Sequence, residues 1–194
     1  MASHSISARR TRRARLVCVF AGALALSMIA SATHAPSRVA AQDGVGNIRD
    51  STPQDRPQML SFFTGLQYNA NFTTYGFPFL LAGRYYFPIV KNGFIPSLND
   101  EFGLEGGLNL LFLFGDTTYV GFGLPFEAVW DFHISTTFDA YAKAGFLVGS
   151  TFGYDGFWWD FRTSVGLRLK LTPAMYFRAE VGYPSVMAGL GFAF

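Results

Sequence analysis

His133 and Ser135 come closest to a catalytic arrangement in this sequence. Two positions apart on a strand, their side chains share one face. A histidine beside a serine can act as general base to a nucleophile. The competing interpretation is that His133 is simply part of a polar turn, with Thr136 and Thr137 following. His133 is also the only histidine after residue 41, and no cysteine follows that position. No metal-ligand cluster is therefore predicted.

A second group of residues that could take part in chemistry is a set of charged side chains. They share one face of successive apolar segments. It contains six bases and seven acids, which nearly balance. An enclosed lumen requires such a balance, because buried ions must be paired. The predicted lumen charge network consists of Arg84, Glu101, Glu105, Glu127, Asp131, Asp139, Lys143, Asp160, Arg162, Arg168, Lys170, Arg178 and Glu180.

The elements that would position these groups are strands, because from Met59 onward the polarity alternates with a period of two. The clearest example is residues 100–114, where one face is apolar or glycine and the other carries Glu101 and Glu105. Glycines interrupt every longer pattern, so no amphipathic helix is indicated. The alternation predicts eight strands, at about 60–72, 77–90, 100–114, 118–132, 136–149, 157–171, 174–183 and 185–194.

Two kinds of eight-stranded barrel fit this alternation, and they differ in which face is inside. A soluble barrel of the lipocalin type turns its apolar face inward, whereas a membrane barrel turns it toward lipid. Periodicity alone does not distinguish them, but an aromatic content of 18% and the N-terminal pattern favour the membrane. An open sheet cannot lie in hydrocarbon. We therefore predict an all-β fold, a transmembrane eight-stranded antiparallel up-and-down β-barrel.

The N-terminus has the pattern of an export signal. Five arginines between positions 9 and 15 precede the uncharged run Leu16–Ala32, and small residues typical of cleavage sites follow. The sequence predicts a signal peptide at 1–41, cleaved between about 32 and 41, a polar lead-in at 42–58 and the barrel at 59–194. An uncleaved transmembrane helix is the alternative, since the run is near the minimum spanning length.

Removal of the predicted signal peptide changes the charge of the protein. Residues 1–41 hold six of the 15 lysines and arginines and none of the 13 acids. The remaining chain therefore has nine bases against 13 acids, a net charge of −4 instead of +2. No basic patch is left to bind phosphates, so nucleic acid is excluded as a partner.

Aromatic residues cluster near the predicted strand ends, where membrane barrels carry interfacial girdles. The predicted girdle residues are Tyr85, Tyr86, Phe87, Trp130, Trp158, Trp159 and Tyr183. Packing inside loops is the alternative for Trp158 and Trp159.

The last predicted strand carries a family resemblance. Val186, Ala188, Leu190, Phe192 and the terminal Phe194 are apolar at every second position. This pattern resembles the C-terminal signal by which the assembly machinery recognises bacterial outer-membrane barrels. Residues 59–194 are similar to the small eight-stranded barrels of the OmpA transmembrane domain, OmpX and OmpW. The resemblance implies an outer membrane of the Gram-negative type, contact with its lipid, the assembly machinery as a partner, and no cofactor.

Two of three competing functions concern the lumen. Eight strands leave an interior only wide enough for side chains. The charge network would then fill it in a structural, membrane-stabilising protein, with inward glycines such as Gly103 and Gly166 admitting tyrosine and arginine side chains. Alternatively, the resemblance to OmpW implies a narrow channel or a binder for small hydrophobic compounds. Its apolar mouth pocket would be lined by Phe63, Leu80, Leu111, Leu113, Leu147 and Trp158.

The third function is enzymatic. Barrel lipid A deacylases use a neighbouring His and Ser, so a resemblance to them implies a lipid A-modifying enzyme that uses His133 and Ser135. However, Thr136 and Thr137 stand where the motif of that family has Asn. A non-enzymatic protein is therefore favoured.

Overall fold

The computed structural model describes residues 47–49, 56–68, 77–115, 118–152 and 156–194. The predicted signal peptide at 1–41 lies outside this range, as does most of the lead-in. Eight strands are present: β1 Met59–Gln67, β2 Phe77–Val90, β3 Asp100–Phe114, β4 Tyr119–His133, β5 Phe138–Phe152, β6 Phe157–Thr172, β7 Met175–Tyr183 and β8 Ser185–Ala193. Compared with the prediction, β1 ends five residues earlier, and β5 begins two and ends three residues later.

The eight strands form one closed barrel. Each strand pairs antiparallel with the next along the chain, and β8 pairs back onto β1, with Met59 opposite Ala193 and Gln67 opposite Ser185. Closure satisfies the backbone groups that the edges of an open sheet would leave unpaired. The predicted eight-stranded up-and-down barrel is confirmed.

The two ends of the barrel are named here by the strands that meet there. The proximal end, where β1 begins and β8 ends, carries the connections 91–99, 134–137 and 173–174. At the distal end β1, β3 and β5 end and β2, β4 and β6 begin, and Pro184 alone joins β7 to β8. Within the part of the chain that is described, no helix is long and apolar enough to cross a membrane.

The polarity of the barrel is reversed relative to that of a soluble barrel. The outward side chains of Phe126, Phe146 and Val165 are 63%, 56% and 58% exposed, whereas the inward side chains of Glu105 and Arg178 are fully buried. No charged residue of the eight strands is exposed. A barrel that spans a bilayer requires this arrangement, with an apolar band outside and polar groups within.

The predicted aromatic girdle divides between the two faces of the wall. Trp159 is exposed on the outside, next to Phe157 on the same face. Tyr86 is buried in the lumen, and Trp158 packs against Leu111 there, so the girdle assignment of these two residues was wrong. The reason is the strand period of two, which sends neighbours on a strand to opposite faces.

Candidate functional site

Lys143 lies at the centre of the lumen and is surrounded by carboxylates. Its ammonium lies 2.5 Å from Glu105 Oε1, 2.7 Å from Glu180 Oε1 and 3.9 Å from Glu127 Oε2, and all four side chains are buried. The four residues come from β3, β4, β5 and β7, so the cluster spans the full width of the barrel.

Two arginines complete this central layer. Arg178 Nη2 donates to Glu105 Oε2 at 2.9 Å and to Glu180 Oε1 at 3.1 Å. Arg162 Nε donates to Glu127 Oε1 at 2.8 Å. Three cations therefore face three carboxylates, which is the balance that makes buried ions tolerable. A layer of this kind crosses the bore with charged groups that are already bonded to one another.

Arg84 differs from the other cations of the lumen. Its side chain is buried and donates to the carbonyl oxygens of Gly83 at 3.1 Å and Leu108 at 3.2 Å, and to the side-chain oxygen of Asn109. No ion pair of Arg84 with a carboxylate occurs among the described residues at 4.0 Å or less. Neutral acceptors thus hold this guanidinium where the charged layer meets apolar side chains.

On the proximal side of the central layer, tyrosine rings and Arg168 fill the lumen. Arg168 pairs with Asp131, and its guanidinium carbon lies 5.0 Å from the ring centroids of both Tyr86 and Tyr141. The two hydroxyls donate to carboxylates, Tyr86 to Glu101 at 2.8 Å and Tyr141 to Glu180 at 2.9 Å. The rings therefore link the central layer to the proximal one.

The tyrosine rings fit because glycines face them. A Cβ added at Gly166 would lie 2.4 Å from the Tyr141 ring, and one at Gly103 would lie 2.6 Å from the Tyr86 ring. Any larger residue at either position would displace the ring. The prediction that inward glycines admit tyrosine side chains is confirmed at these two positions.

Apolar side chains predominate in the distal part of the lumen, where Gln67, Thr151 and Ser185 are also buried. Phe63, Leu80, Leu111, Leu113 and Leu147 are buried. Phe63 and Leu80 cluster with Ala82 and Met187, and Leu111 and Leu113 form a second cluster against which Tyr119 and Trp158 pack. Five of the six residues predicted to line a mouth pocket thus pack in one or the other of these two clusters, and Leu147 is buried outside them.

His133 lies at the proximal mouth and is held by acids. Its Nδ1 lies 2.8 Å from Asp139 Oδ1, and its Nε2 lies 3.8 Å from Glu101 Oε2. Ser135 has a different role, because its hydroxyl accepts from the backbone amides of Thr137 at 3.3 Å and Phe138 at 3.0 Å. The hydroxyl is used to close the turn, and no hydrogen bond joins it to His133 among the described side chains. The predicted base and nucleophile are therefore not brought together.

The thirteen residues of the predicted charge network divide by depth. Ten are buried in the lumen, and Asp139, Asp160 and Lys170 are half-buried near the strand ends. Asp160 accepts from the Tyr183 hydroxyl at 3.0 Å, and Lys170 borders the proximal mouth beside Asp139.

The lumen also contains polar residues that the sequence pattern did not single out. Asn109 and Ser61 lie at inward positions and bond to Arg84 and Arg178, respectively. The alternation of side chains along β1 and β3 places both on the inward face, so the sequence could have identified them as lumen residues. Arg56 precedes β1, so no strand period applies to it, yet its guanidinium is buried at the proximal mouth 3.4 Å from Glu101 Oε2. Among the described residues, no group of three His, Cys, Asp or Glu is arranged to hold a metal ion.

Solved structures similar to this chain include two of one bacterial outer-membrane protein. No known protein-family model matches the chain, and no curated protein matches it. The backbone structure of the Yersinia pestis outer membrane protein Ail in a phospholipid bilayer nanodisc is 13% identical, with a TM-score of 0.44, over 72% of this chain and 100% of that chain. The crystal structure of Ail, the attachment invasion locus protein of Yersinia pestis, is 16% identical, with a TM-score of 0.42, over 71% and 97%. At these sequence identities and TM-scores, the two structures add nothing to the fold that the strand pairing already establishes.

The arrangement of the lumen determines what it can do chemically. Apart from Arg84, which neutral acceptors hold, the charged groups of the central layer are bonded to each other, and distal apolar side chains pack in two clusters. None of the described clusters presents a nucleophile beside a base, and the small cavity at the proximal mouth, about 50 Å³, has room for little more than water. Among the described residues, the side chains of the central layer therefore contact one another across the bore.

Proposed function

We propose that this chain is an integral outer-membrane β-barrel protein with a filled lumen, and that its role is structural, stabilising the membrane in which it lies. The observation that carries the proposal is the reversed polarity of the barrel. Every one of the eight strands exposes at least one large apolar side chain, whereas the strand charges are buried or half-buried. In water, so large an apolar surface would promote association.

Strand length supports a membrane-spanning position. A tilted strand needs about 9–11 residues to cross the hydrocarbon core. β1, β7 and β8 have nine residues each, and β2 to β6 have 14 to 16. The three short strands are adjacent in the closed barrel, so one side of the wall just reaches the minimum and the other side exceeds it.

The filled lumen supports a structural role over a channel. A permeating ion would have to displace the central layer, in which Lys143, Arg178 and Arg162 hold three carboxylates. It would also have to separate the distal apolar clusters. Five of the six residues predicted to line a mouth pocket, all but Leu147, take part in that packing, so they support a plug better than a binding site for a small hydrophobic compound.

The membrane assignment is tested by extraction and by gel mobility. We expect the mature protein to require detergent and to migrate differently on a gel before and after heating, because the closed barrel resists unfolding until it is heated. A folded monomer that remains in plain buffer without detergent would contradict the membrane position.

The filled lumen is tested by planar-bilayer conductance. We expect no single-channel events from protein whose folding has been verified by heat-modifiable mobility, and a channel-forming porin in the same bilayer provides the sensitivity control. Regular unitary events from the folded parent protein would refute the closed lumen and leave the membrane position standing.

The proposed partners follow from the same position. They are the outer-membrane lipid around the barrel and the barrel-assembly machinery, which would recognise the last strand. Phe194 follows β8 and packs at the proximal end, where its amide donates to Gln58 O at 3.1 Å and its ring lies 6.3 Å from that of Tyr85. An apolar C-terminal ring is thus available at the barrel seam.

A further inference from the structure

The connection between β2 and β3, residues 91–99, is the longest at the proximal end of the barrel. The other two proximal connections are much shorter, at 134–137 and 173–174. A strand pair of this barrel can therefore be joined by far fewer residues than this connection contains. Its residues include three with large apolar side chains, Phe94, Ile95 and Leu98. The length and the composition of the connection thus exceed what joining two strands requires.

Phe94 lies against the outer face of the barrel wall. Its ring centroid lies 5.3 Å from that of Phe102 and 6.4 Å from that of Trp130, and the ring of Trp130 lies 5.1 Å from that of Phe132. Phe102, Trp130 and Phe132 occupy outward positions of β3 and β4, in alternation with the buried residues of the lumen. These four residues are called the outer aromatic cluster. Phe94 is 59% exposed, so the apolar outer surface continues past the ends of the strands onto the connection.

Asp100 fastens the connection to the wall. Its Oδ2 accepts from the backbone amide of Phe94 at 3.1 Å and from the indole Nε1 of Trp130 at 2.8 Å. Asp100 is buried, and Gly93 beside it has a φ of 25°. A Cβ added at Gly93 would collide with the carboxyl group of Asp100, so the glycine lets the chain pass close to the carboxylate. One carboxylate oxygen therefore holds the backbone at Phe94 and the ring of Trp130 together.

The surroundings of Phe94 are part apolar and part polar. Phe87 and Ile89 are exposed on the outer face of β2, whereas Asn92 and Ser97 are exposed polar residues of the connection. An apolar ring between polar residues, at the end of an apolar wall, is typical of the boundary between hydrocarbon and water, where aromatic rings are favoured. Because the outer aromatic cluster is continuous with the outer wall, the medium that covers the wall also covers the cluster.

From these contacts we infer that the connection 91–99 is an interfacial anchor. Phe94 inserts into the boundary between the headgroups and the acyl chains of the lipid leaflet at the proximal end, and Asp100 is the positioning residue that holds it there. The inference rests on the membrane position proposed above. It goes further because it assigns a lipid contact to a segment outside the strands and to one side of the barrel, that of β2, β3 and β4. An anchor on one side restricts how the barrel can tilt in the bilayer.

The test measures the depth of residue 94 in the bilayer. No cysteine is present after residue 41, so Phe94→Cys gives the mature protein a single thiol, to which a small environment-sensitive fluorophore is attached. The labelled protein is folded into vesicles of phosphatidylcholine that is brominated either near the headgroup end or near the methyl end of its acyl chains. Bromine quenches only fluorophores that lie close to it. We expect stronger quenching by the shallow bromines than by the deep ones.

Two further positions serve as controls. Ser97→Cys places the same fluorophore at an exposed polar position of the same connection, and neither lipid is expected to quench it. Val165→Cys places it on the outer wall, where quenching is expected. If the label on the wall is quenched and the label at residue 94 is not, the anchor is refuted and the membrane position stands. If neither is quenched, both proposals fail, and equal quenching at residues 94 and 97 refutes the directed insertion of Phe94.

A second copy of the chain is the competing occupant of the outer aromatic cluster. In that case the fluorophore at residue 94 would report an apolar environment without quenching by bromine. Its emission would also shift toward that in water when the ratio of lipid to protein is raised. This result would overturn the anchor.

The role of Asp100 is tested in the Phe94→Cys background. Asp100→Ala removes the acceptor of both hydrogen bonds and is expected to abolish the preference for shallow bromines. Asp100→Asn keeps an acceptor oxygen and is expected to retain that preference. Unchanged quenching in Asp100→Ala would refute the positioning role. If Asp100→Ala does not give heat-modifiable folded protein, Gly93→Ala takes its place, because the added Cβ displaces the carboxylate.

Discussion

Replacing Lys143 by methionine is expected to destabilise the barrel through the lumen charge network. The substitution keeps the length of the side chain and removes one buried positive charge. Lys143 contacts Glu105 at 2.5 Å and Glu180 at 2.7 Å in full burial. Its loss leaves three carboxylates facing two guanidinium groups, and the central layer acquires a net negative charge in a space that excludes water.

The magnitude follows from the partners that remain. Removing one member of a buried ion pair costs about 3–5 kcal/mol, because the other charge stays buried without compensation. Here Arg178 still reaches Glu105 at 2.9 Å and Glu180 at 3.1 Å. The lower end of the range therefore applies, about 3 kcal/mol, which is a change of about a hundredfold in the unfolding equilibrium.

The free energy of unfolding is measured by urea titration in phospholipid vesicles, with heat-modifiable gel mobility reporting the folded fraction. Lys170→Met is the matched control, since Lys170 is half-buried at the mouth, and its effect is expected to stay below about 1 kcal/mol. Adding Glu105→Gln to Lys143→Met restores neutrality and is expected to recover most of the loss. If Lys143→Met proves as stable as Lys170→Met, the ion pairs of Lys143 in the central layer do not stabilise the barrel.

Three further predictions concern the outer face, a glycine of the wall and the last residue. Val165→Arg puts a charge on the exposed outer face of β6. It is expected to lower the free energy of unfolding in vesicles by about 2–4 kcal/mol. A stability equal to that of Val165→Leu would contradict the contact of this face with lipid. Gly189→Ala places a Cβ 1.9 Å from the Phe62 carbonyl oxygen, whereas Gly83→Ala meets nothing within 4 Å. The first is expected to lose about 1–3 kcal/mol in the same urea titration and the second almost nothing, so equal stabilities would refute the close strand contact. Phe194→Ala is expected to lower the amount of folded barrel recovered from outer membranes while refolding in detergent stays normal, and an unchanged recovered amount would remove the C-terminal strand as an assembly signal.

Much of the fold could be predicted because the strand period is local. Alternation of side chains along a strand depends only on sequence position, so Glu105, Lys143 and Arg178 can all be assigned to one face from their positions alone. The end of β1 at Gln67 was less predictable, because Tyr68 continues the alternation of the strand without extending the pairing. The alternation of polar and apolar residues in the sequence does not show where the hydrogen-bonded pairing of two strands ends.

The pairing inside the lumen could not be predicted in the same way. Lys143 and Glu105 are 38 residues apart, and Arg178 and Glu105 are 73 apart. Which acid meets which base depends on the register of each ladder and on the closure of β8 onto β1. The sequence also placed His133 and Ser135 on one face, yet the turn after β4 directs the serine hydroxyl to backbone amides.

The sequence by itself determined the number of strands, which side chains of a strand share one face, and the near-neutral charge of the charged face, since these follow from composition and a period of two residues. Only the tertiary structure decided that Lys143 is the centre of the ion pairs, that Tyr86 faces Gly103 and Tyr141 faces Gly166, and that Arg56 reaches into the mouth from outside the strands. These features depend on distances across a closed bore. Such distances are set by register and curvature and have no counterpart in the order of residues along the chain.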